Sequence, residues 1–534
     1  VGSMLLYPDG CLQEAGGAIW QDGSGWNIGR LSDPQGCDYQ FVREVDYCSG
    51  ASFAVPLSLW RQLNGFDLRY APAYYEDTDF AFRVREAGLK VIYTPFSQLV
   101  HFEGISSGTD TSSGVKRYQA VNQSTFAKRW QSQLQDRHPP ETPELATYGT
   151  GVRPQLLWLD ALTPTPDRDS GSIDALNFLT VAKEMGWDVS FIPTSNLLKN
   201  GRYTEELQRL GVRCLYWPHI NSIETYLETY GHLFDVVVLS RVSVAESLLP
   251  IVRRLAPQAS VGFNTVDLHF LRQQRQKEVV GNLASMDIEA TRKAELALIE
   301  HSDLTISISD VEAATIRDLV PSATVKAVPI ARTIPGRTTP FAERRDICFL
   351  GGFNHDPNVD AVLYFVSEIW PLVAERLPDC NFLIAGADMP DRIHQLQSDR
   401  IQTLGYVSNL DDLFERVRLS VAPLRYGAGL KGKVISSFSY GVPAVCTPIA
   451  VEGMELSDSY TNQLVADLSD VFANCIVQAY LDTDRWSIFS DLALACAQQQ
   501  FSLNAVVPTM QAVLMELKQM RDSSGSQPTV DSKQ

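Results

Sequence analysis

The chain has 534 residues, a formal net charge of −18 at pH 7 and a hydrophobic fraction of 45%. It is too long for one hydrophobic core, so the length predicts two to four domains of roughly 100–200 residues each. The acidic balance argues against a general nucleic-acid-binding surface or an anionic-membrane-binding surface, and we expect no nucleic-acid partner.

The cysteines and the apolar runs indicate where such a chain would work. Its nine cysteines are scattered singly without a CxxC pair, which argues against a zinc site or a disulfide framework and fits a reducing cytoplasm. No apolar run approaches the roughly 20 residues that a membrane-spanning helix needs. We therefore expect a cytoplasmic protein whose membrane contact, at the inner face, is at most peripheral.

An acidic stretch, YYEDTDFAFRVREAG at 74–88, is the first feature that suggests chemistry. It predicts a helix that Asp77 or Thr78 caps and Gly88 ends. Acids are common in first helical turns because they suit the helix dipole, so the residues alone leave open whether Glu76 and Asp77 serve only the helix.

The neighbourhood of these acids favours a catalytic cleft. Tyr74 and Tyr75 form an amphipathic wall beside them, and His101 follows the next predicted strand, so it could reach the same cleft. A carboxylate there would serve as general base on a sugar hydroxyl, and a neutral imidazole would ligate a divalent cation.

The order of CSGA, GFD, EDTDFAFR and VHFEGIS resembles the acceptor half of family 2 inverting glycosyltransferases, which have the GT-A fold, over residues 1 to about 130. The resemblance implies a role for each of these residues: Asp77 as catalytic base, Glu76 beside it at the acceptor hydroxyl, His101 as a ligand of Mn²⁺ or Mg²⁺, and Gly50 and Ala51 in the acceptor floor. In that family a nucleotide-binding half precedes this region. We expect either a fragment of a longer protein, which the non-Met start favours, or a module that cannot bind its donor.

A seam rich in Pro, Gly and Thr follows, and it predicts a module over residues 1–135 and a linker over 136–152. Beyond it, apolar strands alternate with amphipathic helices in two successive series, over residues 153–335 and 336–515. This rhythm is typical of parallel sheets covered by helices, so we predict an α/β chain with two doubly wound domains in tandem. The polar tail over 516–534 predicts disorder.

Two places in the first series could meet a ligand. Gly171 and Ser172 precede a helix whose free N–H groups could bind an anion, although a plain turn explains them nearly as well. His269 follows an apolar strand, and although a lone histidine of this kind is more often structural, we expect it to bind the acceptor together with Gly171 and Ser172.

The second series carries a stronger signal. Gly351 and Gly352 follow a strand and would let a phosphate approach the backbone. Further on, the segment APLRYGAGLKGKVISSFSYGVPAVCT is a strand, a glycine-rich loop, a helix and a strand. Its anion-binding candidates are Arg425, Gly427, Gly429, Lys431 and Lys433. A solvated basic turn is the weaker alternative, because ligands usually bind at the carboxyl ends of strands in such sheets.

Residues 153 to about 515 resemble the retaining family 4 glycosyltransferases of GT-B fold. FLGGFNHDPNVDAV and PLRYGAGLKGKV carry the resemblance. It implies a donor diphosphate on the two glycine loops, a base near residues 405–414, and transfer without a metal. The family's ribose-holding Glu falls at Ser436 and its earlier acid at Ala428, so we expect weakened or altered donor binding.

The sequence thus predicts a two-module glycosyltransferase that builds a bacterial surface or capsular polysaccharide. Its partners would be a nucleotide-sugar donor and a glycan or lipid-linked glycan acceptor. The rival hypothesis is a non-catalytic carbohydrate- or nucleotide-binding scaffold, which Ser436 and the incomplete first module favour. A sugar-nucleotide epimerase or dehydrogenase is weakly supported, because neither doubly wound domain has a GxGxxG turn.

Overall fold

The computed structural model describes residues 1–102, 115–140, 153–281 and 287–524. The chain forms two compact units: unit 1 comprises Val1–Thr163 and Ala182–Asp235, and unit 2 comprises Pro164–Val181 and Val236–Gln534. The module boundaries drawn from the sequence at 135, 153, 335 and 515 stay predictions. Residues 141–152 of the predicted linker lie outside the described residues.

The amino-terminal part of unit 1 has a mixed sheet of order β2-β1-β6-β5 and a separate β3-β4 hairpin. Its strands are β1 (Gly2–Leu6), β2 (Leu12–Glu14), β3 (Gly17–Ile19), β4 (Gly25–Asn27), β5 (Arg43–Glu44) and β6 (Ile92–Val100). Its helices are α1 (Leu57–Gln62), α2 (Glu76–Glu86), α3 (Tyr118–Arg129) and α4 (Gln131–Leu134). β1 pairs parallel with β6, and the two form the centre of the sheet.

The third acid of the 74–88 stretch is part of this core. Asp79 is fully buried, and its carboxylate accepts hydrogen bonds from Arg83 Nε (2.8 Å), Trp130 Nε1 (2.9 Å) and Tyr70 Oη (3.1 Å). A buried carboxylate with this many donors joins α2 to Trp130, the residue between α3 and α4, and stabilises the module rather than facing a ligand.

The remainder of unit 1 begins the first predicted doubly wound series. In unit 1 its elements are β7 (Gln155–Asp160), β8 (Asp188–Pro193), α6 (Gly201–Leu210), β9 (Val212–Cys214) and α7 (Ile223–Tyr230). The helix between β7 and β8, α5 (Ser170–Glu184), belongs to unit 2 through residue 181. β7 pairs parallel with β8, and β8 parallel with β9. The buried strands carry apolar side chains on both faces, as parallel strands covered by helices do.

Unit 2 contains the rest of that series and all of the next. Residues 236–327 form β10 (Val236–Ser240), α8 (Val242–Leu255), β11 (Ser260–Asn264), α9 (His269–Val280), α10 (Ile288–His301), β12 (Leu304–Ser307), α11 (Asp310–Leu319) and β13 (Val325–Ala327). All three pairings between successive strands are parallel.

The carboxyl-terminal series has a parallel sheet of order β16-β15-β14-β17-β18. Its strands are β14 (Arg345–Leu350), β15 (Phe382–Ala385), β16 (Ile401–Gly405), β17 (Val417–Ala422) and β18 (Ala444–Cys446). Its helices are α12 (Asp356–Tyr364), α13 (Trp370–Arg376), α14 (Asp391–His394), α15 (Leu410–Phe414), α16 (Gly432–Ser439), α17 (Asp458–Leu464), α18 (Ser469–Leu481), α19 (Thr483–Cys496) and α20 (Leu503–Ser524). The order reverses at β14, so β14 and β17 lie next to each other at the switch point where doubly wound sheets bind ligands.

Short turns of other helix types complete the set. The 3₁₀ turns are Leu68–Tyr70, Val115–Arg117, Gly231–Leu233, Phe341–Glu343 and Pro448–Ala450, and the π turns are Phe365–Ile369 and Ala497–Phe501. The predicted doubly wound α/β architecture is confirmed.

The predicted disordered tail was wrong in its first part. α20 continues through residues 516–524, because Leu517 is fully buried against β11 and Glu516 pairs with Lys326 at 2.9 Å. Residues 525–534 lie outside the described part of the chain. Across the described ranges, no helix is both long enough and apolar enough to cross a bilayer.

Candidate functional site

The acidic helix of unit 1 begins earlier than expected. α2 starts at Glu76 with Tyr75 as N-cap, so the prediction that Asp77 or Thr78 caps the helix was wrong. Tyr74 and Tyr75 both adopt a left-handed backbone, with φ of 73° and 70°, and Asn122 Nδ2 supports it by donating to the Tyr74 carbonyl at 2.9 Å. Strained residues of this kind concentrate at functional sites, and here they place both acids in the first turn.

Asp77 and Glu76 lie side by side with different surroundings. Asp77 accepts the N–H of Gly50 at 2.8 Å and that of Thr78 at 2.7 Å, whereas Glu76 Oε2 has no hydrogen-bond partner among the described residues. Burial raises the pKa of both carboxyls, and the Asp77 charge raises the pKa of Glu76 further. A carboxylate that binds protons more readily than usual suits a general base.

The structure brings Gly50 to Asp77, as the family 2 resemblance implies, and adds a cavity beside them. Asp77 is the one acid among the residues that line a cavity of about 240 Å³, whose other lining includes Phe53, Leu59 and Phe80. Ala51 is exposed, and its N–H donates to Ser49 Oγ at 3.2 Å rather than to an acid.

Glu14 is a site residue that the sequence analysis missed. It is 3% exposed and accepts the N–H of Ser49 at 2.9 Å, so the consecutive amides of Ser49 and Gly50 bind two different carboxylates. Burial raises the pKa of Glu14 to about 8, and the Asp77 charge adds to the shift. Its burial, which all three residues of β2 share, is a tertiary property, and the sequence carried no signal for it.

His101 is not part of a metal site within the described residues. Its ring Nδ1 is 3.0 Å from Gln13 Oε1, and its backbone N–H donates to Leu6. No group of three or more His, Cys, Asp or Glu side chains converges as metal ligands anywhere in the described ranges. These residues therefore do not fit a divalent cation by themselves, and the cation expected for this module stays a prediction.

In unit 2, the first glycine loop follows β14 at the switch point. A Cβ on Gly351 would lie 2.9 Å from the Asn358 amide group, so only glycine fits there. Among the described residues, a Cβ on Gly352 would meet nothing nearer than the Arg168 carbonyl at 3.7 Å, which leaves its backbone open to a ligand.

The second glycine loop spans residues 425–431, and we name it the donor loop after the role that the family resemblance implies. Gly427 and Gly429 have φ of 156° and 67°. The Gly427 carbonyl accepts from Arg275 Nη1 at 2.8 Å, and the Gly429 N–H donates to Glu312 Oε1 at 2.7 Å. Two side chains from the β10–β13 series thus hold the loop at successive glycines.

The two lysines of this region are buried cations. Lys431 Nζ donates to the carbonyls of Ala428 (3.1 Å) and Gly429. Lys433 Nζ donates to Asn358 Oδ1 and lies over the Phe349 ring. Burial lowers the pKa of Lys431 to about 8 and that of Lys433 to about 7, where the neighbouring Lys431 charge contributes.

Arg425 departs from its expected role. Its guanidinium pairs with Asp360, with Nε at 2.9 Å, so a carboxylate of the chain already compensates the charge that we expected a diphosphate to meet. Ser436 lies on α16 and brings only a hydroxyl to the position of the family's glutamate. Glu452, which the sequence left unplaced, forms a two-point ion pair with Arg275, both contacts at 2.7 Å.

The first-series candidates are engaged by the chain itself. At the start of α5, the Ser172 N–H donates to Asp169 at 2.9 Å, and its hydroxyl donates to the same carboxylate. A Cβ on Gly171 would lie 3.3 Å from the Arg241 guanidinium. The His269 N–H donates to Glu295 at 2.9 Å, and its ring Nδ1 is 3.4 Å from that carboxylate. An acid therefore already occupies the predicted anion site at α5.

His355, just before α12, is a further residue that the sequence analysis missed. Burial lowers its pKa to about 4, and the charges of Arg272 and Lys433 lower it further. It is therefore a neutral imidazole among cations. The predicted base-binding segment also contacts the first loop of unit 2, since Tyr406 Oη donates to Asp167 at 2.6 Å.

Comparison with known proteins agrees with this geometry. Residues 344–482, which contain both glycine loops, match the family described as glycosyl transferases group 1. N-acetylglucosaminyl-diphospho-decaprenol L-rhamnosyltransferase of Mycobacterium tuberculosis is 34% identical over 96 residues, which cover 18% of this chain and 28% of that protein. The chain thus matches less than a third of this relative, and the GT-A-like module has correspondingly weaker support.

Two solved structures share the fold. Sucrose-phosphate synthase from Thermosynechococcus elongatus has a TM-score of 0.52 at 15% identity, and the match covers 69% of this chain and all of that one. Anabaena HepE, solved in complex with UDP and glucose, has a TM-score of 0.52 at 14% identity over the same shares. The likeness confirms the predicted GT-B pair of Rossmann-like domains.

Proposed function

Since residues 344–482 belong to a family of glycosyltransferases, we propose that this chain transfers a sugar from a nucleotide-sugar donor, held by unit 2, to a glycan acceptor. The finer proposal is the assembly of a bacterial surface or capsular polysaccharide on a free or lipid-linked acceptor. The chain would work in the cytoplasm, at or near the inner face of the membrane.

The two buried lysines carry the proposal. In the described part of the chain, neither ammonium lies within ion-pair distance of a carboxylate, and each has a pKa lowered mainly by burial. Burial without a paired acid disfavours the charged form of a lysine, and a bound anion would restore it. A diphosphate on Gly352 would supply that anion beside the amino terminus of α16, whose dipole has the matching sign.

The same groups would act on the reaction. As the bond between the sugar and the diphosphate breaks, negative charge grows on the leaving phosphate oxygens. Lys431, Lys433 and the free N–H groups of α16 would stabilise it from fixed positions, without rearrangement. The neutral imidazole of His355 would leave the positive field of the two lysines uncancelled. We therefore propose metal-independent transfer in unit 2.

The amino-terminal module would contribute an inverting transfer with Asp77 as general base. Support comes from its raised pKa, its two backbone donors and the cavity that it lines. This role needs a nucleotide-binding half in addition to the described residues. A Mn²⁺ or Mg²⁺ requirement stays an expectation.

Calorimetry with UDP, GDP and ADP in buffers of different ionisation enthalpy tests the donor site. Free Lys433 is mostly neutral above pH 7, and a bound diphosphate favours its charged form, so binding at pH 8 is expected to take up a proton. Lys433→Met should reduce that uptake to the smaller share that Lys431 contributes, and weaken binding by roughly tenfold or more. Lys326→Met, which removes a half-buried lysine paired with Glu516, is the control.

A panel of nucleotide sugars, scored by released nucleoside diphosphate, then tests turnover. The transferase is supported if nucleotide binds with proton uptake and if nucleoside diphosphate is released with at least one acceptor. Ser436 favours the second candidate function, a nucleotide-binding scaffold, which would bind without release for every acceptor tried. Absence of nucleotide binding would contradict both.

A further inference from the structure

Glu312 is buried where the two series of unit 2 meet. It stands in the first turn of α11, is 1% exposed, and accepts the Gly429 N–H through Oε1 at 2.7 Å. Its second oxygen, Oε2, has no hydrogen-bond partner among the described residues. The proposed donor site uses lysines and glycines, and it gives Glu312 no role.

The donor loop packs closely against the residues around Glu312. A Cβ on Gly429 would lie 3.3 Å from the Ile308 side chain and 3.4 Å from that of Asp267. Two residues away, the Gly427 carbonyl accepts from Arg275. Gln276 Nε2 also donates to Tyr426 Oη at 3.4 Å. The described residues of the β10–β13 series thus hold the loop by three hydrogen-bonding side chains, and Glu312 is the one among them that accepts through a carboxylate.

The charges around Glu312 oppose one another. Asp267, on the loop after β11, disfavours its ionised form, and Lys431, on the donor loop, favours it, as do the amides of Gly429 and Leu268. The charge of Glu452 raises the pKa of Lys431, and the charge of Arg275 lowers it. Burial, the largest effect, raises the pKa of Glu312 to about 7.

We infer that Glu312 is a positioning residue that holds the donor loop through the Gly429 amide and loosens it on taking up a proton. An ionised carboxylate accepts an N–H more strongly than a carboxylic acid does. The loop is therefore held above neutral pH and freer below it. The inference rests on the proposed function, since it makes the donor site of the transferase sensitive to pH.

Hydrogen–deuterium exchange of the full chain tests this without any substrate. Peptides that cover the donor loop are followed from pH 6 to pH 8.5 and corrected for intrinsic exchange. The wild type is expected to gain several-fold protection as pH rises through about 7. Glu312→Gln, which keeps an acceptor oxygen but no charge, should show intermediate protection at every pH, and Glu312→Ala should show little.

Glu295→Gln is the matched control, because Glu295 is equally buried and accepts two backbone N–H groups within the first series. It should keep the wild-type pH profile. A Glu312→Gln loop that still gains protection with pH, or a folded Glu312→Ala loop protected like wild type, would overturn the inference. If Glu312→Ala does not fold, the comparison of Glu312→Gln with wild type decides.

Nucleoside diphosphate binding by the same variants separates this inference from the proposed function. If the wild type shows the pH-dependent protection but binds no nucleotide, the inferred role of Glu312 stands and the proposed transferase function is wrong. A wild type that binds nucleotide with pH-independent loop protection would mean the reverse.

Discussion

Glu14, Asp77 and Glu312 each accept a backbone N–H from a small loop residue, at distances between 2.7 and 2.9 Å. Burial is the largest cause of the raised pKa in all three. Such acids connect loop geometry to proton uptake, because the oxygen that holds the loop is also the one that titrates.

Glu14 should make unit 1 less stable in alkali. Burial raises its pKa from the ordinary 4.5 to about 8 in the folded chain, so its stabilising contribution is complete below about 4.5 and is lost as pH rises through 8. Between pH 6 and pH 9 we expect the free energy of unfolding to fall by on the order of 2 kcal/mol. Glu14→Gln should remove that fall.

Urea unfolding followed by hydrogen exchange of peptides from residues 1–102 measures this effect. Glu86→Gln, which changes an exposed acid of α2, should behave as wild type. An equal loss of stability in alkali for Glu14→Gln would show that another group is responsible.

At the scale of elements, α11 illustrates how a local pattern acquires a distant contact. Ser309 caps the helix by accepting the Glu312 N–H at 3.2 Å, and Ser-x-x-Glu is typical of a capping box, in which the acid returns to the cap residue's own amide. Here the acid instead binds Gly429 of the donor loop, 117 residues later. The helix amino terminus thereby positions a loop of the other series.

Gly429→Ala should weaken nucleoside diphosphate binding by about tenfold. The residue has a φ of 67°, and an added Cβ would crowd Ile308 and Asp267, so the loop must shift by a few tenths of an ångström or more. Calorimetry with the tightest-binding nucleotide measures the change. Gly186→Ala has a similar φ of 81° with nothing within 4 Å of the added Cβ, and it should leave affinity unchanged. Equal affinities for both variants would contradict this role of the loop.

At the scale of the whole molecule, the two candidate sites belong to different compact units. Every contact described for Asp77 comes from unit 1, and every contact described for Lys433 comes from unit 2. Groups that share no partners usually contribute independently to binding and stability.

We therefore expect Asp77→Asn to leave nucleoside diphosphate affinity within about twofold of wild type. The double variant Asp77→Asn, Lys433→Met should match Lys433→Met alone. Calorimetry on the four proteins forms a complete cycle. A coupling well beyond twofold would mean that the two sites act as one.

The sequence by itself determined the α/β architecture and the places where glycines open a loop. Strand and helix periodicity are local properties, so the runs around β14 and β17 and the Gly351–Gly352 and Gly427–Gly429 loops were predicted correctly. The resemblance to a glycosyltransferase was confirmed over residues 344–482, since it depends on short motifs in fixed order.

Only the tertiary structure decided which charges are free to meet a ligand. Arg425 was expected at the diphosphate but pairs with Asp360, 65 residues earlier. Glu14 and Glu312 gave no local signal of their contacts with Ser49 and Gly429. Ion pairs and buried hydrogen bonds join residues far apart in the chain, and their strength depends on burial. Both properties exist only once the chain has folded.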